Sequence, residues 1–256
     1  MAYRPFDLSG KVALITGGNS GIGLGMAQAL AEAGADIAIW GSNAAKNAAA
    51  LESLQSFGVR LHALACDISD EAAVDNAFAE TVAQLGRVDA CFANAGTYGH
   101  ASRFTALDTA EWQRVMRINL DGAFFTLRAA ARHMVERGGG GSLVAAASLA
   151  AIEGAARNAH YGATKGALVA MIHALAVEMA RHGIRANAIL PGWIETAMTA
   201  GNVADERFSS AVLPRIPARR WGQPADFGGI AVYLASDAAA YHSGDCLVID
   251  GGYSLF

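Results

Sequence analysis

The 256-residue sequence has few interruptions: it has five prolines, and no Pro-, Ser- or charge-rich stretch between Gly10 and Gly251 that would serve as a linker. One domain is therefore expected, since apolar segments recur at steady intervals from end to end. Basic residues are not in excess either. A formal net charge of -4 offers no face to polyanions, which argues against nucleic acid as a partner but leaves room for a nucleotide held by backbone groups. Cysteine is scarce: Cys66, Cys91 and Cys246 stand singly, without metal-ligand spacing, and read as buried reduced thiols with no metal site. The first residues lack the apolar core of a signal peptide. The longest uncharged run, residues 12–31, carries Thr16-Gly17-Gly18-Asn19-Ser20-Gly21 at its centre, a segment that would leave backbone groups unsatisfied in lipid. No membrane association is expected, and the cytoplasm is the expected compartment.

What is present is an alternation of short β-rich runs with longer amphipathic ones. Strands are expected over 12–16, 36–40, 60–66, 88–93, 142–147, 184–190 and 246–250. Between them, helices are expected over 22–33, 43–57, 70–85, 108–136 and 158–182, with Gly34, Gly58 and Gly86 placed to close the first three and Asp70 placed as an N-cap. Strands apolar on both faces and separated by helices imply parallel pairing with helices on both sides. The expected fold is a doubly wound (Rossmann) α/β sheet of about seven strands, whose ligands lie at the strands' carboxyl ends where the winding reverses.

Three features carry chemistry. Thr16-Gly17-Gly18-Asn19-Ser20-Gly21-Ile22-Gly23 lies between the first strand and the first helix. Glycines there let the turn close, let the backbone approach a pyrophosphate and let helix pack on sheet, while the helix N-terminus supplies amide donors. Such turns also occur without a ligand. Tyr161 and Lys165 stand four residues apart in an expected helix, on one face, which puts the ammonium where it favours the phenolate. Taken alone, the same spacing also describes a packed ring and a solvated amine. Ser148 follows the fifth expected strand, where a hydroxyl can bond a substrate oxygen that gathers negative charge.

With these residues in place, the chain from Leu8 to Tyr253 resembles the short-chain dehydrogenase/reductase family. The Thr16/Gly17/Gly21/Gly23 turn is similar to that family's nucleotide fingerprint, and Asn94-Ala95-Gly96 to its motif after the fourth strand. Asn119, Ser148, Tyr161 and Lys165 fall where the family keeps its catalytic tetrad. Pro191, Gly192, Ile194 and Thr196 fall where it binds the nicotinamide carboxamide. The resemblance implies hydride transfer between NAD(P)(H) and a carbonyl or secondary alcohol. Tyr161 would be general acid and base, Ser148 would hold the oxygen, Lys165 would lower the Tyr161 pKa and grip the ribose, and Asn119 would help hold a relay water. Asn19, Ser20 and Ile22 would complete the phosphate turn, Asp67 and Ile68 would border the adenine, and Asn94 would brace the central strands. Residues 193–214 would cover the substrate, and the long helices over 108–136 and 158–182 would pack a homotetramer.

The resemblance has departures. Ala93 stands where a second Asn is commoner, and Ala145 to Ala147 replace an Asn-Ile-Ser stretch; neither removes a catalytic group. At the end of the second strand Gly41 stands where NAD-preferring members place an acid, and Ser42 and Ser20 stand where NADP-preferring members place an Arg. Missing repulsion, with Ser42 and Asn43 as donors, leans toward NADP. His160 is expected to point away from the site, His100, Glu153, Trp193 and Met198 to lie in loops near the cleft, and Arg215, Arg219 and Arg220 to form a solvated stretch. The alternative is a non-catalytic NAD(P)-binding regulatory protein on the same fold, although it would have no need to retain all four tetrad residues. A sugar-nucleotide epimerase or dehydratase would need a longer C-terminal substrate domain than the roughly sixty residues after Pro191.

Overall fold

In the computed structural model, which describes residues 4–255, successive residues of the first strand face opposite sides of the sheet. In β1 (Val12–Thr16), Val12 and Leu14 join one hydrophobic cluster while Ala13 and Ile15 join another. The other strands are β2 (Asp36–Gly41), β3 (Leu61–Ala65), β4 (Ala90–Ala93), β5 (Gly141–Ala146), β6 (Ile184–Pro191) and β7 (Cys246–Ile249). All pair in parallel in the order β3-β2-β1-β4-β5-β6-β7, so the winding reverses between β1 and β4.

Helices α1 (Gly21–Glu32), α2 (Ala44–Leu54) and α9 (Gly228–Ala235) cover one face, through Met26, Leu30, Leu54 and Leu234. Helices α3 (Glu71–Leu85), α5 (Gly122–Arg137) and α6 (Ala159–Met179) cover the other, through Phe78, Leu127, Met134 and Ile172. Each face is a continuous apolar layer, which is why the strands read as uninterrupted apolar runs. The expected doubly wound sheet is present, with strand ends within two residues of those expected. Asp70 caps α3 by accepting from the backbone N–H groups of Ala72 and Ala73, and Gly86 ends it at φ 86°.

Two expectations need correction. The helix expected over 108–136 is broken: α4 (Thr109–Met116) passes into a π-helical turn, Arg117–Asp121, before α5 begins. Apolar periodicity does not register one extra residue in a turn, and this widened turn carries Asn119, as such turns often carry functional residues. Cys66 and Cys91 are buried free thiols, but Cys246 is only partly buried, because β7 is the edge strand. By length and hydropathy alone, the helical stretch 159–182 would suffice to cross a bilayer, yet Leu168, Ile172 and Ala176 pack it into the core.

Candidate active site

At the carboxyl edge of the sheet, β1 leads into the glycine turn. Gly17 adopts φ 64°, open to glycine, and a Cβ at Gly23 would overlap the Gly17 carbonyl oxygen and the Asn94 side chain. The turn is locked to β4: the backbone N–H groups of Asn94 and Ala95 both donate to the Thr16 hydroxyl at 3.0 Å, and Asn94 Nδ2 donates to the Thr16 carbonyl at 2.9 Å. A cavity of about 660 Å³, within the range of small-molecule sites, runs along this edge. Gly17, Ser20, Gly21 and Ile22 form one wall, Asn94 to Gly96 the floor, and Pro191, Gly192, Ile194 and Thr196 the far side. Ser148, Tyr161 and Lys165 face into the same space.

Tyr161 lies in the first turn of α6, and Ser148 follows β5. Lys165 is 5% exposed, and its Nζ donates to the Ala146 carbonyl at 2.7 Å. Burial lowers the Lys165 pKa to about 8. Burial also pushes the Tyr161 phenol up to about 12, against a hydrogen bond from Ser148 that favours the phenolate. The ammonium is 5.5 Å from the Tyr161 ring centroid and bonded to a carbonyl, so in the protein alone desolvation outweighs it.

Asn119 is 1% exposed and does not line the cavity. Its Oδ1 accepts from the Thr97 N–H at 2.7 Å and its Nδ2 donates to the Thr97 carbonyl at 2.9 Å, which holds the segment after β4. A Cβ at Gly96 would lie 3.0 Å from Asn119 Oδ1 and 3.8 Å from Lys165 Nζ, so the two side chains flank one glycine.

The adenine-side residues are dispersed. Ser42, Asn43 and Asp67 are exposed, Asn43 Oδ1 accepts from the Lys46 N–H as the cap of α2, and Asp67 bonds Ser69 within its own turn. Ile68 is buried against Gly122. Asn19 reaches over Gly41 to donate to Asn47 Oδ1 at 2.7 Å, and a Cβ at Gly41 would overlap Asn19 and sit 2.6 Å from Asn47 Oδ1. Gly41 is thus required by packing as well as permissive of a phosphate, a contact that its position at a strand end does not reveal.

Several lining residues escaped the sequence reading. Tyr98 packs its ring 4.9 Å from that of Tyr161, and burial raises its pKa. Asn158 donates to the Tyr98 hydroxyl at 3.1 Å. Its place two residues after the Asn94-Ala95-Gly96 motif was the only available signal for Tyr98. Tyr253, near the chain's end, closes an aromatic cluster with Trp193 and Phe208. Arg215 donates to the Tyr253 hydroxyl at 2.7 Å and lies 4.4 Å over its ring, while Arg215, Arg219 and Arg220 are all exposed, as expected. Arg220 pairs with Asp226 instead. His160 is fully buried toward α4, 3.9 Å from Glu111, and outside the cavity; Glu153, Trp193 and Met198 line it, and His100 does not.

A glycine cradle without side chains, facing amide donors and a buried cation, suits a dinucleotide. The family model described as enoyl-(acyl carrier protein) reductase, adh_short_C2, matches residues 17–254. Over 255 residues the chain is 39% identical to 2-dehydro-3-deoxy-D-gluconate 5-dehydrogenase of Dickeya dadantii, covering 99% of both. The chain belongs to the short-chain dehydrogenase/reductase family. The chain is also 35% identical to gluconate 5-dehydrogenase of Gluconobacter oxydans, covering 98% of this chain and 97% of that one. It superposes with a TM-score of 0.94, at 37% identity and full coverage of both chains, on a gluconate 5-dehydrogenase from Burkholderia cenocepacia in complex with NADP and tartrate. As a family member it is an NAD(P)-dependent oxidoreductase.

Proposed function

We propose that this enzyme interconverts a secondary alcohol and a ketone on a small polyhydroxy carboxylic acid, with NADP(H) preferred. The observation that carries the reading is the meeting of Ser148, Tyr161 and Lys165 with the glycine turn around a single cavity. A bound nicotinamide dinucleotide would supply or accept the hydride. Gly17, Ser20, Gly21 and Ile22 would cradle its phosphates, and Pro191, Gly192, Ile194 and Thr196 would hold the carboxamide. In reduction, the Tyr161 hydroxyl gives its proton to the carbonyl oxygen while Ser148 donates a hydrogen bond to the same oxygen; oxidation runs the proton back. Lys165 stabilises the phenolate thus formed, and the upward push of burial on Tyr161 makes a nearby positive charge necessary at neutral pH. Asn119 acts by fixing the segment beneath Lys165.

The substrate class rests on the gluconate-type activities named for the relatives, and the NADP preference on the absence of an acid at Gly41 and Ser42 together with the NADP bound by the Burkholderia relative. Residues 193–214, with α7 (Ala200–Ala204) and α8 (Glu206–Val212), would cover the substrate. An apolar groove between α5 and α6, lined by Phe124, Leu127, Met171 and Leu175, fits the helix-on-helix contact of a cytoplasmic homotetramer.

Tyr161→Phe tests the reading. NADPH binding, followed by fluorescence, should stay near wild type while turnover of aldonates or their keto acids falls by on the order of 10²-fold or more. Equal turnover in both proteins rejects the assigned proton donor.

A further inference from the structure

Three charged residues line the cavity: Glu153, Arg157 and Lys165. Lys165 is buried and committed to the Ala146 carbonyl. Arg157 is exposed to the cavity, and its guanidinium makes no hydrogen bond or ion pair with any described residue, Glu153 included. It is a free, permanently charged fork on the wall of a substrate site.

Its backbone is unusual. Arg157 adopts φ 67°, and among the described residues only Arg219 is another non-glycine residue at positive φ. An L-residue resists that conformation, which glycine would adopt without strain, so a large cation kept there points to a use for the side chain. The segment is anchored on both sides. The Arg157 carbonyl accepts from the Ser102 N–H at 2.9 Å, and the next residue, Asn158, donates to the Tyr98 hydroxyl, whose ring packs against Tyr161. Asn158 is 6% exposed and lines the cavity, yet its Oδ1 has no hydrogen-bond partner.

We propose that Arg157 is the specificity-determining residue that pairs with the substrate's carboxylate. Guanidinium and carboxylate match as a two-pronged, charge-assisted pair. That pair selects an acid over a neutral polyol or ketone. Glu153 shares the wall and adds an acceptor for hydroxyls, and it disfavours any anion not held by Arg157. The inference rests on reading the cavity as the reductase's substrate site, and it names the group that recognises the acid.

Calorimetric titration of the NADPH-saturated protein tests it without turnover, because an alcohol cannot be oxidised against reduced cofactor. D-Gluconate should bind more tightly than D-glucitol, its neutral counterpart. In Arg157→Gln and Arg157→Gly the ratio of the two Kd values should collapse by on the order of 10- to 100-fold, with Arg157→Lys intermediate. The Gly variant relieves the backbone, so its thermal midpoint should equal or exceed that of wild type, which keeps the test valid if the Gln variant folds poorly. A Kd ratio unchanged in the Gly variant, or no preference for gluconate in wild type, overturns the proposal. Those results leave the catalytic reading standing; retained turnover in Tyr161→Phe would overturn that reading while leaving the binding ratio untouched.

Discussion

The two ends of the cleft are built differently. At the end where Tyr161 lies, the groups that position the wall are held by buried partners, Lys165 by the Ala146 carbonyl, Thr16 by two N–H groups and Asn119 by both sides of Thr97, whereas Arg157 of the charged lining stays unpaired among the described residues. At the end beside β2 and β3, Ser42, Asn43 and Asp67 are exposed, and the side chains of Asn43 and Asp67 close their own cap and turn. A proton donor must be held to a fraction of an ångström, which takes a rigid surround. Choosing between two forms of a nucleotide takes only a charge or its absence near the surface. The first end is therefore fixed by many residues at once, and the second is free to vary.

Replacing Lys165 strikes the rigid end hardest. Lys165→Met should cut kcat/KM by on the order of 10²- to 10³-fold, measured with NADPH and the keto acid. It also carries a pH signature. With its pKa lowered to about 8 from an ordinary 10.5, the folded protein sheds the Lys165 proton before the unfolded chain does. The cost of burying the charge is therefore fully present below pH 8 and disappears between about pH 8 and 10.5, so wild-type stability rises relative to the Met variant across that window. Urea midpoints of both proteins at pH 7.0 and 10.5 check this, and a constant difference between them would show that Lys165 is not buried as a cation.

The surface end should respond by selectivity alone. Ser42→Asp should lower kcat/KM for NADPH by about tenfold while changing NADH little, through repulsion of the 2′-phosphate. Gly41→Asp brings the same charge with a side chain that displaces Asn19 and Asn47, so it should also lower the thermal midpoint and impair both cofactors. A clean switch of preference in Gly41→Asp, without loss of stability, would mean that this end is as adaptable at its strand as in its loop.

Legibility in the sequence follows the same division. The seven strands and most of both helical layers were legible because the inner strands are buried on two faces and the first three helices carry a glycine or a cap at their ends, as Asp70 and Gly86 do for α3, whereas α9 was not expected. Ser148, Tyr161 and Lys165 were legible by their spacing, and they share one cavity. The π-turn around Asn119 was not, since one extra residue in a turn leaves no mark on apolar periodicity. Tyr98, Arg157 and Tyr253 were not, because they reach the cavity from three separate loops and no short motif links them. The raised Tyr161 pKa was also hidden: spacing places a lysine nearby, but only burial decides whether its charge outweighs desolvation.

The smallest predicted effect separates two uses of one side chain at the surface end. Asn43 is expected to donate to a 2′-phosphate, yet its Oδ1 is spent on the Lys46 N–H at the start of α2, at 2.9 Å. Losing that cap costs about 1 kcal/mol. Asn43→Ala should therefore lower stability by about that much, read from the urea midpoint, and leave the NADPH to NADH ratio within about twofold. Asn43→Asp keeps the cap and adds a charge, so it should retain the midpoint and weaken NADPH. If Asn43→Ala instead lowers NADPH efficiency tenfold with stability intact, the residue serves the cofactor before the helix, and the exposed end of the cleft is more committed than its hydrogen bonds imply.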